Sequence, residues 1–287
     1  MKAATFQLSM IRTLFVFIST TLGGGKAPYL FTPQHASTKL NHNRDVTDDF
    51  EQIVCYMLPH TLAKRLYELL WTGPTMSVKF RNVCRSSTRG CRAACLHTSG
   101  RLAMAEIAKL ARTVLFSMTH LTDGDYSAFW RLADAEITRN KARVAAKGKT
   151  LVVRVNGTSD VEIPGWILRK HHDVIFSDYT KHEDVKLSWS LRHPNQYRVF
   201  SATENTPISQ IRTLLEAGHN VVVPFDIVPK GEMIAEWHGM PVIDGDKHDL
   251  RFLDEPGNIV GLRYKLPRDR SVNHHGFIQE TAVSLVA

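Results

Sequence analysis

Six short apolar runs in the second half of the chain constrain its fold most: Leu151–Val155 (LVVRV), Val174–Phe176, Tyr197–Phe200, Val221–Val223, Pro241–Ile243 and Asn258–Leu262. They are rich in β-branched residues, too short for helices, and separated by helical or loop segments. That pattern belongs to a parallel sheet or barrel covered on both faces, so the expected class is α/β, as a parallel, partial α/β barrel. Nearly every run is followed at once by small polar and charged residues. In a parallel barrel the C-terminal strand ends converge on one rim, where chemistry sits. Asn156, Ser159, Asp160, Asp178, Tyr179, Lys181, Ser201, Glu204, Asp244, Asp246 and Lys265 are thereby expected to face one cavity. For any single cluster, turn chemistry is the better explanation. Several in succession, carrying Lys, Glu and Tyr, favour a site.

Before the strands, the periodicity is helical. Leu58, Leu62, Leu66 and Leu70 repeat every four residues in a helix expected over Asp48–Leu70, which would carry Cys55 as a buried thiol. Arg101–Phe116 and Tyr126–Ala146 each present one apolar face. Thr206, Pro207 and Gly218 read as N-cap, first-turn proline and C-terminal stop of a further helix. The run Ser9–Leu22 has a short apolar centre, Leu14–Ile18, interrupted upstream by Arg12. It is too short to span a membrane and a poor signal peptide, so a buried strand is expected and the compartment is read as cytoplasmic. Gly73-Pro74 marks a boundary. Residues 1–75 are expected as an N-terminal extension of uncertain structure, and 76–287 as the barrel-like domain.

Three of the four cysteines, Cys84, Cys91 and Cys95, fall in a C-x6-C-x3-C spacing just before a helical pattern. Four cysteines so distributed do not make a disulfide framework, and free thiolates suit a reducing compartment. Three clustered thiols serve an iron–sulfur cluster with one open iron, or zinc with a fourth ligand from His97 or Cys55; unligated thiols remain the third possibility. The adjacent pairs His171-His172 and His274-His275 do not chelate as they stand. Asp244-Gly245-Asp246 suits a divalent ion or a substrate hydroxyl or amine, and equally a turn whose carboxylates pair with Arg251. No P-loop, dinucleotide-binding glycine motif or nucleophile elbow occurs.

The formal net charge of +8 favours an anionic partner such as nucleic acid or a phosphorylated substrate. The densest basic runs, Arg139–Lys149 and Arg263–Arg270, read first as solvated faces.

The segments GCRAACLHTSGR (90–101), RVNGTSD (154–160), SDYTK (177–181), FSATEN (200–205) and VIDGDKHDLRFLDEPGNIVGLRYK (242–265) carry a resemblance. Together they resemble a family of tailed-bacteriophage proteins without a settled biochemical function, more distantly similar to the phage gene product 88 group. The likeness spans about Val78–Ile278, and it implies phage origin and a shared fold. A looser likeness is to radical-SAM proteins, which set a three-cysteine loop before a helix at the start of a parallel α/β barrel. It implies Cys84, Cys91 and Cys95 as ligands of a [4Fe–4S] cluster, with Asn156, Ser159 and Asp160 holding S-adenosylmethionine. Their usual spacing is C-x3-C-x2-C, and Ala94 stands here where an aromatic residue commonly precedes the last cysteine.

Two functional classes follow. One is a radical-SAM-like enzyme acting on a nucleotide, nucleic acid or peptide, with Asp178, Lys181, Glu204 and Asp244 as the catalytic candidates. The other is a non-catalytic, zinc-stapled basic accessory protein that binds nucleic acid or a host protein.

Overall fold

The computed structural model describes residues 8–24, 29–36, 38–74, 78–96, 106–118, 127–182, 193–226, 232–264 and 273–281. The chain folds as mixed α/β, around a nine-stranded sheet that is mostly parallel. Its strands are β1 (Thr32–Pro33), β2 (Phe50–Val54), β3 (Thr150–Arg154), β4 (Ile175–Thr180), β5 (Gln196–Ser201), β6 (Val221–Phe225), β7 (Glu236–Trp237), β8 (Met240–Asp244) and β9 (Ile259–Arg263). The order across the sheet is β1-β2-β3-β4-β5-β6-β9-β8-β7, with only the two outermost strands antiparallel. No pairing joins β1 to β7 among the described residues.

From β2 to β6 each connection steps one strand in the same direction. Right-handed crossovers then put all the connecting helices on one face. The described helices are α1 (Leu8–Thr21), α2 (Thr38–Asn41), α3 (His60–Leu70), α4 (Arg89–Ala93), α5 (Glu106–Ser117), α6 (Ala128–Ala145), α7 (Gly165–Lys170) and α8 (Ile208–Glu216). Strand residues alternate between faces. Leu151, Val153, Val155 and Phe176 join the main core with Leu110 and Val114 of α5, Phe129 and Ile137 of α6, and Ile167 of α7. Val221, Val223 and Phe225 pack with Ile211 and Leu215 of α8.

The opposite face has a smaller apolar cluster, Val199, Val222 and Val260 with Tyr179, Tyr197, Ile243 and Leu262. A buried polar layer lies beside it. Arg154 pairs with Asp249 at 3.4 Å and stacks 4.4 Å from the centre of Tyr179. Arg251 pairs with Asp254 at 3.2 Å, and Phe252 packs edge-on against Phe50. The block between β8 and β9 thus folds back under the sheet and closes this face.

Several expectations change. Ser9–Leu22 forms helix α1 rather than a strand, because Ile11, Phe15 and Ile18 share one face against α5 and α6. Residues 48–70 are not one helix: β2 precedes α3, and Cys55 sits just after the strand in the core, fully buried. Residues 1–75 therefore supply β1, β2 and three helices of the same fold, β2 pairing in parallel with β3 over Phe50–Val54. Thr206 does not cap α8; its Oγ1 accepts from the Thr203 amide at 3.0 Å, and Pro207 holds the N-cap position without a side-chain bond. Gly218 does end that helix, at φ +79°. The first residues expected in the helices after the cysteines, Arg101 and Tyr126, lie outside the described residues.

Candidate functional site

A cavity of about 180 Å³ opens at the C-terminal ends of the parallel strands. One wall is the cysteine segment, with Cys84, Cys91, Ala94, Cys95 and Leu96. The loop Asn156–Asp160 forms a second wall. Arg154 comes from β3, Tyr179 and Lys181 from β4 and its end, Ser201 from β5, and Val222 and Pro224 from β6. Leu262, Arg263, Tyr264, Phe277 and Ile278 extend the lining. The three clustered cysteines and the NGTSD turn, 61 residues apart at their nearest (95 to 156), thus share one chamber.

Backbone pairing brings them together. Cys84 and Asp160 form an isolated parallel bridge, and the Asp160 amide donates to the Val83 carbonyl at 2.7 Å. The Cys84 thiol donates to the Thr158 carbonyl at 3.7 Å. Thr158 Oγ1 in turn donates to the Met57 carbonyl at 2.6 Å, which ties the turn to the end of β2. Gly157 is required there, because a Cβ would come within 2.6 Å of Tyr56 and Val54 side-chain atoms.

Past Cys84 and the exposed Arg85, three hydroxyl residues shape the turn into α4. Ser86 Oγ lies 2.8 Å from Nδ1 of His182, just beyond β4. Ser87 Oγ donates to the Cys84 carbonyl at 2.8 Å, and Thr88 caps α4 by accepting from the Cys91 amide at 3.3 Å. Glu204, just past the end of β5, locks this cap from outside. It accepts from Thr88 Oγ1 at 2.5 Å and from the Gly90 amide at 2.7 Å. These bonds hold the Glu204 carboxyl below its ordinary range even though burial pushes the other way. Gly90 is needed for the close approach, since a Cβ there would lie 2.4 Å from the His274 carbonyl.

The thiols sense one another. Burial pushes the Cys84 thiol up to about 12; the negative charges of Cys95, Cys91 and Asp160 add to this, and Lys181 opposes it. Cys55 is also held near 12 by burial, but it lies in the core and does not line the cavity. It is not placed as a fourth ligand, and His97, the other candidate, lies outside the described residues. No group of three or more His, Cys, Asp and Glu side chains is close enough to hold a metal ion among the described residues.

The strand-end residues divide sharply. Lys181 lines the cavity, its ammonium 5.8 Å from the centre of the Phe277 ring, with no ion pair among the described residues. Asn156, Ser159 and Asp160 line it too, but their polar atoms are engaged. Asn156 Oδ1 accepts from Ser159 Oγ and the Val161 amide, both at 2.8 Å, and its Nδ2 donates to the Val161 carbonyl. Asp160 accepts from the Lys181 amide at 2.9 Å and pairs with Arg198 at 3.5 Å.

Asp178 points to the helix-covered face and is not part of the lining. It accepts from the Asn156 amide at 2.7 Å, and burial raises its carboxyl to about 6 despite that bond and the nearby Arg154 and Arg198. Asp244 is paired with Arg263, through contacts of 3.0 and 2.7 Å. Arg263 also reaches Asp246, so the expected partner Arg251 is replaced by Arg263. Lys265 lies outside the described residues. Sequence reasoning misses Arg154 and Tyr264. Arg154 is the one charge inside an otherwise apolar run, at the position where β3 reaches the rim, and that is the signal which could have found it.

The sequence profile of the Gene product 88 family matches residues 38–279. The chain belongs to this family of bacteriophage proteins. The match begins forty residues earlier than the likeness read from the motifs (38 against 78), and so takes in β2, the strand beside β3. The Gene product 88 match also contains every cavity-lining residue. No curated protein and no solved structure matches the chain significantly. No described helix is long and apolar enough to cross a membrane.

Proposed function

We propose that the protein is a phage-encoded metal-dependent enzyme, a partial α/β barrel of the radical-SAM kind, with Cys84, Cys91 and Cys95 as the ligands of a [4Fe–4S] cluster. The observation that carries this reading is the sharing of one cavity by the three thiols and the strand-end residues. The donor set suits such a cluster in kind, three soft sulfur ligands on a wall open to a chamber; the three side chains as placed do not stand close enough together to hold a metal ion, so a cluster would have to draw them in. Ligation would also relieve the thiols. A buried Cys84 is costly to ionise alone, and a bound cation removes that cost.

Held by Cys84, Cys91 and Cys95, a cluster of this kind would supply one-electron reduction to bound S-adenosylmethionine. The chain's own residues do the rest. Glu204, Thr88 and Gly90 fix the cysteine helix against β5. The saturated Asn156 turn holds Thr158 against Cys84. Lys181 offers a cationic group to a carboxylate or phosphate inside the chamber. Leu96, Tyr264 and Phe277 supply apolar cover that limits water. Within this reading Lys181 keeps a direct role, while Asp178, Glu204 and Asp244 act as positioning residues.

Protein purified without oxygen and reconstituted with iron and sulfide should be brown, and should cleave S-adenosylmethionine when a reductant is added. Colourless protein carrying one zinc per chain, lost in Cys91→Ala, would overturn the reading in favour of a structural staple.

A further inference from the structure

The segment Lys79–Arg92, which supplies the cysteine wall, carries five cations and no acid: Lys79, Arg81, Arg85, Arg89 and Arg92. All five are exposed. Among the described residues Lys79, Arg85, Arg89 and Arg92 form no ion pair; Arg92 Nη1 donates to the Ser87 carbonyl at 2.6 Å, folding back over the loop that lines the cavity. The acids that meet this wall and the cavity mouth are already used. Glu204 caps α4, Asp160 pairs with Arg198, and Asp246 pairs with Arg263. Of the three cations lining the cavity, Arg154 and Arg263 are paired with carboxylates and Lys181 has no ion pair among the described residues; the rings of Tyr264 and Phe277 lie beside it. Exposed cations on the segment that walls a cavity holding an unpaired lysine and aromatic rings have the chemistry of a phosphodiester-binding surface beside a base-sized chamber.

We propose that the substrate brought to this site is a single nucleic-acid strand, its backbone held by Arg85, Arg89 and Arg92 and one base entering the cavity beside Lys181. The inference rests on the enzyme reading above and names its substrate class. A duplex is too wide for a chamber of about 180 Å³, so an unpaired strand or frayed end is what enters. Single strands also suit sequence-tolerant recognition by cations and stacking rings.

The test uses the full chain, reduced and freed of metal with chelator, so that it does not depend on a cluster. Fluorescent mixed-sequence 20-mers of single-stranded DNA, single-stranded RNA and duplex DNA are titrated by anisotropy at several salt concentrations. Protection of the cavity thiols from iodoacetamide is read in parallel. One of the single strands should bind more tightly than duplex and should slow alkylation of Cys91 and Cys95; which of the two does so distinguishes DNA from RNA. R85Q/R89Q/R92Q should weaken that binding at least tenfold and lower the salt slope by about 2, from roughly 0.7 per phosphate contact. R85K/R89K/R92K should bind within about threefold of the parent, which separates lost charge from lost folding. K64Q/R65Q, on α3, should leave binding unchanged.

Equal binding by the glutamine triple variant would overturn the proposal. So would equal affinity and thiol protection by dextran sulfate or an acidic peptide. Iron and sulfide uptake without strand binding would remove this inference and leave the enzyme reading; strand binding without iron uptake would do the reverse.

Discussion

Over residues 139–149, the end of α6 and the turn after it, the cations are already engaged. Lys141 reaches Asp173, Arg143 and Lys147 both hold the buried Glu51, Lys149 pairs with Asp48, and Arg139 stacks on Tyr29. In the cysteine segment, Lys79, Arg85, Arg89 and Arg92 have no such carboxylate or ring among the described residues. Two basic runs that read alike as strings of letters therefore do different work. The first clads the edge of the sheet and carries a β2 carboxylate that could not otherwise be buried. The second leaves its charge to solvent, beside the only clustered thiols of the chain. A residue's partners, rather than its type, decide whether it is available for chemistry. The same division sorts the strand-end residues, with Asp178, Glu204 and Asp244 committed to the fold and Lys181 facing the cavity.

The largest expected effect tests the committed side. R143A/K147A strips Glu51 of both cations, and a carboxylate left buried without them costs about 3 kcal/mol, at the low end of the usual range because both cations are partly exposed. Urea unfolding should show that loss, whereas R85Q/R89Q should stay within about 0.5 kcal/mol of the parent. Comparable losses in the two variants would break the comparison.

Asp178→Asn gives a second, pH-dependent contrast. The Asp178 carboxyl is raised from 3.8 to about 6 by burial. A raised acid binds more protons in the fold than in the unfolded chain, so its penalty is absent below about pH 4, grows as pH rises, and is complete above about pH 6. The difference of about two units corresponds to roughly 3 kcal/mol at most. D178N, which can still accept from the Asn156 amide, should gain part of this at pH 8 and nothing at pH 4. A gain independent of pH would show that burial does not govern this carboxyl.

Gly90→Ala should cost about 2 kcal/mol, because its Cβ meets the fixed His274 carbonyl. It should also lower thiol protection by bound strand, since the cysteine helix must shift. Thr88→Ala has the smallest effect, about 1 kcal/mol for a lost cap, with the Gly90–Glu204 bond still in place.

Much of the sheet is legible in the sequence because β-branched runs in Leu151–Val155 and Val221–Val223 sit where strands need them. β2 is hidden: FEQIV carries Glu51 and Gln52, which are buried only because Arg143, Lys147, Asn43 and Gln34 come from elsewhere to receive them. α1 is hidden for another reason. Its apolar centre is short, and the helical face emerges only when Ile11 is counted with Phe15 and Ile18. At the site, the spacing of the cysteines and the polar ends of the strands point to a common chamber. Nothing local to Asp178 or Asp244 announces that the Asn156 amide and Arg263 will claim them. The floor under the sheet lies in the block most specific to the phage likeness, VIDGDKHDLRFLDEPGNIVGLRYK, where Asp249, Arg251 and Asp254 carry no apolar pattern and are buried only as ion-paired side chains.

Iron and acid-labile sulfide per chain, measured after anaerobic reconstitution of the parent and of each single Cys→Ala variant, tests the cysteine assignment most directly. About four irons per chain are expected in the parent, retained in Cys55→Ala and lost in Cys84→Ala, Cys91→Ala and Cys95→Ala alike. Iron content that fails to rise in the parent, or that falls only when Cys55 is replaced, would contradict the account.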